Sequence, residues 1–568
     1  MIRKLYTLAL IVVCALSATA QQRWNISADS TSLGVEPSRG DVVSYASTDD
    51  AVRKSYNNSQ YLVPIEEFDC VRSSEGMNYS TSFKVPFAWL DRQLFLHVGK
   101  VSAAYEVWVN GRRVGYTQSA STPVEWDLTR YSVEDNNTLE IRVVDSYYAQ
   151  VLEDSRTERE AVLNGEVYLL AQPKVRVRDV SVATAMNGTD GLLSLGVILK
   201  SHLLNDKEYK VWYELISPRG EVVAADYRTA TLGMRGEDTV TFFRRMPDIM
   251  TWSHEQPCLY TLVVKTQHEG RFKEYVSFNI GFRTIAVDAD HVVMLNDTPL
   301  RIVSKDYAPS SDLVQVADDI VKMRDEGVTM LNIVGAPQSR RFYDVCDSLG
   351  MYVCASVDID THKGGDSRAV GGNPSNNPTL WPHYCERTLA LYHSTKNYPC
   401  VIMYSLAANP ANGYNLYESY RLLKSLEKDR PVLLQGSNEW NNDSLNMSRM
   451  ASLPRTDLNN WVVLTCDDAT TGKVNIANTR HYTSLIGQVL YTVKSGRKTI
   501  SSGAVPVKVL PQGAVDVKIP LKGVSSGKPF SVEVEVVRPA VVGKYDVDAD
   551  HSQAANESLA SKIFDGVL

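Results

Sequence analysis

The stretch Tyr398-Pro-Cys-Val-Ile-Met-Tyr-Ser-Leu-Ala-Ala-Asn-Pro-Ala-Asn-Gly413 decides the fold class of the second half of this chain. Its apolar run, residues 400–406, follows a helix-like segment and is typical of a buried parallel strand. A polar loop containing Pro and Gly comes directly after the run. In a barrel of alternating strands and helices, catalytic groups lie in the loops at the carboxyl ends of the strands. The stretch therefore predicts one strand of a β/α domain together with the loop of a candidate site.

The composition is that of an ordinary globular protein. With 568 residues, 44% of them hydrophobic and 22% charged, the chain has enough apolar residues for about three to four domains. The net charge of −7 is mild and the Lys and Arg residues are scattered, so nothing indicates nucleic-acid binding. After the N-terminus, no apolar run is long enough to predict a transmembrane segment.

Residues 1–20 have the pattern of a secretory signal peptide. Arg3 and Lys4 form its charged region, residues 8–16 its apolar region, and Ala18-Thr19-Ala20 its small-residue cleavage site. The pattern predicts secretion, to the periplasm or the cell surface.

The cysteines do not indicate a disulfide framework. The eight cysteines are spread thinly, and several lie on or beside apolar segments, so we expect buried free thiols. No CxxC or HExxH pattern is present, and the sequence predicts neither a metal site nor a cofactor.

Two all-β domains are predicted first, over residues 21–175 and 176–285. Short alternating runs recur between turn signals, and in residues 105–109 Tyr105, Val107 and Val109 share one face. The Asn110-Gly111 pair supplies the positive φ angles of a tight hairpin. The rhythm of the second domain predicts an immunoglobulin-like sandwich.

From residue 286 to 455 the pattern changes to alternating strands and helices, which predicts a parallel sheet. At most five strands are expected, at the segments 300–303, 328–334, 351–356, 400–406 and 431–434. A complete barrel has eight strands and needs about 250 residues, so this domain is predicted to be a truncated barrel. A C-terminal β-sandwich over 456–545 and a flexible tail over 546–568 complete the predicted fold class of β domains plus one α/β domain.

Several motifs resemble those of glycoside hydrolase family 2, the β-galactosidase and β-glucuronidase family. The segments 102–116 and 125–129 resemble its N-terminal jelly-roll, and 252–262 with Gly281-Phe-Arg283 resemble marks of its middle sandwich. The run 398–409 resembles its Pro-Ser-Val-Ile-x-Trp-Ser-Leu-Gly-Asn-Glu signature. The resemblance implies a jelly-roll, a sandwich, a barrel and glycosidase ancestry.

The same resemblance implies that the catalytic carboxylates are missing. Asn409 stands where the family keeps its acid/base Glu, Tyr404 replaces the Trp of the signature, and nothing matches the motif of the nucleophilic Glu. In the segment 152–156, Arg156 replaces the acid with which the family contacts the sugar; it is otherwise an ordinary surface residue. A retaining glycosidase needs both carboxyl groups, so the chain is predicted to be catalytically inactive.

The remaining candidates for substrate binding are polar or aromatic residues near predicted strand ends. Asp358, Asp360 and His362 resemble the family's Asn-Ile-Glu-Thr-His segment, which implies a small polar cluster for sugar binding or weak catalysis. The favoured alternative is that the acids cap the next turn and that His362 is a satisfied histidine. Trp381 either stacks on a sugar or opens a helix as a core residue. Glu439 follows the fifth strand and is the best substitute for a displaced carboxylate.

Three functions stay open at this point. The first is a non-catalytic protein that binds carbohydrate or serves as a scaffold of the cell envelope. The second is an active exo-glycosidase with a rearranged site that uses Asp358, Asp360 or Glu439. The third is a structural subunit of an envelope assembly. Because the last strand of an open sheet has unpaired backbone groups, residues 435–454, the C-terminal sandwich, or a protein partner or oligomer is expected to cover it.

Overall fold

The computed structural model describes residues 32, 35–36, 42–53, 59–119, 121–153, 162–163, 165–333, 338–365, 367–408, 410–434, 442–456, 458–539 and 556–567. Four domains follow one another along the chain, in the predicted order.

The first domain is a jelly-roll of two five-stranded antiparallel sheets, with strand orders β1-β8-β5-β10-β2 and β3-β4-β9-β6-β7. Its elements are β1 (Val35–Glu36), α1 (Thr48–Arg53), β2 (Leu62–Pro64), β3 (Asp69–Arg72), β4 (Gly76–Lys84), β5 (Gln93–Val98), β6 (Tyr105–Val109), β7 (Arg112–Thr117), β8 (Val124–Asp127), β9 (Asn136–Val144) and β10 (Val167–Gln172).

The predicted hairpin between β6 and β7 is confirmed. Tyr105, Val107 and Val109 are buried, and Asn110 and Gly111 adopt φ angles of 50° and 72°. Most residues with a Cβ are strained at positive φ angles. Gly has no Cβ and Asn tolerates these angles, so the Asn-Gly pair is favoured in such a turn. Asn110 also donates to the carbonyl of Tyr131 at 3.0 Å, which ties the turn to the rest of the domain.

The second domain is the predicted immunoglobulin-like sandwich. A three-stranded sheet, β11-β12-β15, packs on a four-stranded sheet, β14-β13-β18-β19. The strands of this region are β11 (Val175–Asn187), β12 (Asp190–Ser201), β13 (Lys207–Ile216), β14 (Val222–Leu232), β15 (Glu237–Met246), β16 (Trp252–Ser253), β17 (Gln256–Pro257), β18 (Tyr260–His268), β19 (Arg271–Ile280), β20 (Ile285–Val287), β21 (Val293–Leu295) and β22 (Thr298–Pro299).

The third domain is a parallel sheet of five strands in chain order, flanked by helices, and is the predicted truncated barrel. Its elements are β23 (Ser304–Tyr307), α2 (Leu313–Asp325), β24 (Met330–Ile333), α3 (Arg340–Leu349), β25 (Tyr352–Ser356), α4 (Trp381–Thr395), β26 (Val401–Ser405), α5 (Tyr414–Leu426), β27 (Val432–Leu433) and α6 (Met447–Ser452).

The first strand of this sheet begins at Ser304, directly after the segment 300–303 at which it is predicted. The apolar segment 300–303 precedes the strand, and the strand itself is the polar run β23, whose Ser304, Lys305 and Asp306 are exposed. Because β23 is an edge strand, polar side chains there prevent pairing with another chain, and the hydrophobic pattern cannot reveal it.

The other edge of the sheet is covered by residues 442–443 of the same chain. The N–H of Val432 donates to the Asp443 carboxylate at 2.8 Å, and its carbonyl accepts from the N–H of Asp443 at 2.9 Å. The N–H of Leu434 donates to the side chain of Asn442 at 3.0 Å. These contacts satisfy the outward backbone groups of β27, so this part of the edge does not need another protein.

The fourth domain is a sandwich of a three-stranded sheet, β28-β29-β32, and a four-stranded sheet, β31-β30-β33-β34. Its strands are β28 (Val462–Thr465), β29 (Lys473–Asn478), β30 (Leu485–Ser495), β31 (Lys498–Val509), β32 (Ala514–Lys518), β33 (Pro529–Pro539) and β34 (Asn556–Val567).

The prediction of a flexible tail over 546–568 is wrong for the residues of β34. This strand pairs antiparallel with β33 along its whole length, and Phe564 packs into the core of the sandwich. The backbone pairing and this one aromatic side chain hold a segment whose composition alone indicated mobility.

All the cysteines of the described residues are free thiols, and the prediction that they are buried holds for Cys258, Cys346, Cys354 and Cys400. It is wrong for Cys70, which is exposed, and Cys385 and Cys466 are half-buried. Within the same residues, no helix is long and apolar enough to cross a membrane.

Candidate functional site

The loop at the carboxyl end of β25 carries the candidate residues Asp358 and Asp360. A segment of the jelly-roll lies directly against them: Glu153 and Asp360 form a parallel bridge, and Asp360 bridges in turn to Ala408. The N–H of Asp360 donates to the Leu152 carbonyl at 2.7 Å. The sheet is thus extended, beyond its strands, by a segment from another domain.

A buried arginine joins the two domains at this place. Arg387 lies on α4, and its guanidinium donates to the Glu153 carboxylate at 2.5 Å and to the backbone carbonyl of Asp358 at 2.6 Å. The Asp358 carboxylate lies 3.4 Å from the same guanidinium, and the Gln118 carbonyl lies 3.1 Å from it. The side chain of Arg387 is 2% exposed and that of Glu153 is 3% exposed, so water is excluded from this ion pair.

Hydroxyl groups also bind both carboxylates, at the second oxygen of Glu153 and at the Asp358 oxygen that faces Arg387. Ser121 donates to the carboxylate of Asp358, and Tyr147 donates to that of Glu153. Burial alone would lower the pKa of Arg387, but the charges of Glu153 and Asp358 raise it above its usual range. Asp358 is therefore part of a buried structural network and is not available to a ligand in this arrangement.

Asp360 and His362 form a second pair at the edge of this network. The Asp360 carboxylate lies 2.7 Å from Nδ1 of His362, and the carboxylate is buried while the imidazole is 47% exposed. These two residues are thus brought together as predicted. Of the predicted cluster of Asp358, Asp360 and His362, the imidazole is the one side chain with substantial exposure to solvent.

Trp381 and Tyr404 are placed by the packing of α4. Trp381 is the first residue of α4 and is half-buried against the core of the β/α domain. Tyr404 is fully buried between the sheet and α4, with its hydroxyl 3.5 Å from Thr395 and the Arg430 guanidinium 5.0 Å from its ring. Tyr404 is closed to a ligand in this structure.

His383 lies beside the network and has no counterpart in the sequence predictions. It is buried, and its ring lies 5.9 Å from that of Tyr148. Its Nε2 has no hydrogen-bond partner within the part of the chain that the structure describes. Burial, followed by the charge of Arg387, lowers the pKa of His383 to about 4. The imidazole is therefore neutral at neutral pH.

Family models match three successive parts of the chain. Residues 15–173 match the sugar binding domain of glycosyl hydrolases family 2, residues 175–283 match the family 2 model itself, and residues 309–463 match the family 2 TIM barrel domain. The chain belongs to glycoside hydrolase family 2. The three matched parts correspond to the jelly-roll, the first sandwich and the truncated barrel described above.

Curated relatives in family 2 are β-galactosidases. The enzyme of Priestia megaterium is 26% identical over 376 residues, which are 63% of this chain and 36% of that protein. The enzyme of Pectobacterium atrosepticum is 28% identical over 401 residues, 67% of this chain and 38% of that protein. The chain thus spans little more than a third of the length of these relatives.

Solved family 2 structures share the fold. A β-glucuronidase of Bacteroides uniformis superposes with a TM-score of 0.55 at 12% identity, covering 87% of this chain and 74% of that one. A family 2 member from Bacteroides cellulosilyticus superposes with a TM-score of 0.56 at 12% identity, covering 86% and 88%.

Three positions that the family 2 resemblance singles out, Asn409, Glu439 and Arg156, lie outside the described residues. The described residues contain no group of three or more His, Cys, Asp or Glu side chains placed to hold a metal ion. Sequence reasoning missed Arg387, because its partners are distant in the chain. Glu153 and Arg387 are 234 positions apart in the sequence, so no local pattern connects them.

Proposed function

We propose that this chain is a non-catalytic member of family 2 that binds carbohydrate, or serves as a scaffold, at the cell envelope. The observation that carries the proposal is the ion pair of Arg387 with Glu153, which also includes Asp358. The acids nearest the carboxyl ends of the strands are bound to a buried guanidinium and to hydroxyl groups.

The chemistry of glycoside hydrolysis supports the same conclusion. A retaining enzyme places two carboxyl groups about 5–5.5 Å apart around the scissile bond, one as nucleophile and one as acid. The Glu153 carboxylate is bound at one oxygen by Arg387 and at the other by Tyr147, so it is not placed to act on a glycosidic bond. The side-chain amide of Asn409, at the family's acid/base position, cannot donate a proton at any useful pH.

The envelope location and the ligand class rest on separate observations. Residues 1–20 have the pattern of a signal peptide, and the jelly-roll matches a model described as a sugar binding domain.

A second candidate is an active exo-glycosidase with a rearranged site. Asp360 with the half-exposed His362 favours it, because a carboxylate-imidazole pair can act as a general acid or base. The curated relatives, which are named β-galactosidases, favour it as well.

Hydrolysis of nitrophenyl β-galactoside, β-glucuronide and related α- and β-glycosides by the purified chain tests the proposal. We expect no turnover above that of His362→Gln, a variant that leaves the buried network intact. Turnover by the unaltered chain that falls at least tenfold in both His362→Gln and Asp360→Asn would establish the glycosidase and refute the non-catalytic proposal.

A further inference from the structure

A cleft lies at the opposite end of the β/α domain from the loops described above. It has a volume of about 440 Å³ and lies between the β11-β12-β15 sheet and the loops that precede β26 and β27. Those loops contribute residues 396–399 and 426–430. A cleft of this size holds a small organic ligand.

The floor of the cleft is a sheet surface made of small side chains. Ser181 pairs with Gly196 and Ala183 with Ser194 across β11 and β12, and Gly196 pairs with Thr241 on β15. These five positions line the cleft and hold no long side chain. The hydroxyls of Ser181, Ser194 and Thr241 are hydrogen-bonding groups of the kind that bind polyols.

An exposed aromatic ring continues this surface. Phe243 lies two residues beyond Thr241 on β15, so both side chains point to the same face, and Phe243 pairs with Ser194. Phe243 is 71% exposed. A large apolar side chain in such a position is a contact surface for a ligand with an apolar face.

One wall of the cleft carries Arg283, which forms no ion pair with a carboxylate of the described residues, although the more distant charges of Asp347 and Glu427 partly offset its own. Two neighbouring cations are paired, Lys396 with Asp179 and Arg430 with Glu427. Arg283 instead donates to the carbonyl of Val401 at 3.0 Å.

The side chain of Arg283 lines the cleft, and the bond to Val401 uses one of its Nη2 donors. Its Nε is shielded from solvent and has no hydrogen-bond partner among the described residues, so an acidic group in the cleft would meet the Nη atoms. Burial, followed by the charge of Arg430, lowers the pKa of Arg283 to about 10, so the guanidinium remains charged at neutral pH. A buried guanidinium with unused donors is stabilised by an anion, and a carboxylate matches its planar geometry.

We infer that this cleft binds a saccharide that carries a carboxylate group. The carboxylate pairs with Arg283, the sugar hydroxyls bind Ser181, Ser194 and Thr241, and a further ring of a longer saccharide contacts Phe243. The inference rests on the proposed function in its choice of a sugar, and it assigns that function a site away from the family's catalytic end.

Binding of D-glucuronate and of D-glucose to the full chain, measured by ligand-observed NMR titration, tests this inference. We expect glucuronate to bind at least tenfold more tightly than glucose, because only glucuronate has a group for Arg283. Arg283→Gln should weaken glucuronate binding about ten- to a hundredfold, the range for loss of a charged hydrogen-bond partner.

A matched pair of surface variants separates the cleft from a general effect of charge. Thr241→Glu places a carboxylate on the floor and should weaken binding at least tenfold. Thr239→Glu lies two residues away on the same exposed face of β15, outside the cleft, and should change binding less than twofold. Glucuronate binding that is absent, no tighter than that of glucose, or unaffected by Thr241→Glu overturns the inference.

Different results would refute the non-catalytic proposal and the assignment of the cleft. Turnover of a nitrophenyl glycoside refutes the non-catalytic proposal and does not touch the cleft. Loss of selectivity for glucuronate refutes the cleft assignment and does not restore catalysis.

Discussion

Replacing Arg387 by methionine should loosen the contact between the jelly-roll and the β/α domain. Methionine keeps most of the volume of the arginine stem but removes the charge that Glu153 and Asp358 share. Both carboxylates would remain in a place where Arg387 is 2% exposed and Glu153 is 3% exposed. Water can reach neither carboxylate without opening the contact.

The free-energy cost of this substitution comes from the two buried carboxylates that lose their partner. Removing one partner of a buried ion pair costs about 3–5 kcal/mol, because the remaining charge is desolvated without compensation. At about 1.4 kcal/mol for each factor of ten, this corresponds to about two to three and a half orders of magnitude in a local opening equilibrium. The hydroxyls of Ser121 and Tyr147, which still donate to the two carboxylates, favour the lower end of the range.

Native-state hydrogen exchange measures this opening without requiring that four domains unfold together. The informative amides are those of Asp360, bonded to the Leu152 carbonyl at 2.7 Å, and Ala408, bonded to the Ile359 carbonyl at 2.8 Å. Both should exchange at least a hundredfold faster in Arg387→Met. Arg228→Met, which removes an exposed ion pair with Asp226, is the matched control and should leave them unchanged.

A triple variant decides whether unpaired charge is the cause. Adding Glu153→Gln and Asp358→Asn to Arg387→Met removes both buried charges and should recover at least half of the lost protection. Exchange that accelerates less than fivefold in Arg387→Met, or a triple variant no better protected than the single one, would refute this reasoning.

Two further predictions concern the sheet edge and the buried imidazole. Asp443→Ala removes the acceptor of the Val432 N–H, which should destabilise this edge of the sheet by about 1–3 kcal/mol. The exposed edge should promote association, measured as increased light scattering on storage. The control Asp290→Ala, at an exposed residue, should leave light scattering unchanged. The pKa of His383 is lowered to about 4 in the folded protein, so as the pH falls below about 6.5 the unfolded chain protonates this imidazole before the folded protein does. The free energy of unfolding should therefore be unaffected by His383 above about pH 6.5 and should decrease toward pH 4. His383→Gln should reduce that decline by up to about 3 kcal/mol in melting curves across this pH range; an unchanged profile would contradict the assignment.

Helices and strands could be predicted from the sequence wherever one of their faces is buried, because burial makes apolar residues recur at a regular spacing. Strand β26 is an example, because the apolar segment 400–406 predicts it and it is found at Val401–Ser405. The edge strands β23 and β34 were not found, because edge strands are held by backbone hydrogen bonds on one side and are free to carry polar side chains.

The candidate site could be predicted only in part, for a related reason. Asp360 and His362 are two residues apart, so their contact is visible in the sequence. In the sequence, Arg387 is indistinguishable from other polar residues of its helix. Its role depends on the position of Glu153 in another domain. Long-range ion pairs leave no periodic signal, and only a structure places them.

We propose that a loss of catalysis and a gain of stability are connected at the carboxyl end of this sheet. An active site keeps carboxylates unpaired, in positions where substrate replaces water, and that arrangement costs stability. Here Arg387 binds the acids at this place, so they hold the jelly-roll to the barrel. A truncated barrel needs such contacts, because it has fewer strands to close its own core. Residues 442–443 cover one open edge, and Met450 of α6 is buried in the same core beside Ile302. We therefore expect that a carboxylate restored at position 409 would not by itself restore hydrolysis, because Asp358 and Glu153 would remain bound to Arg387.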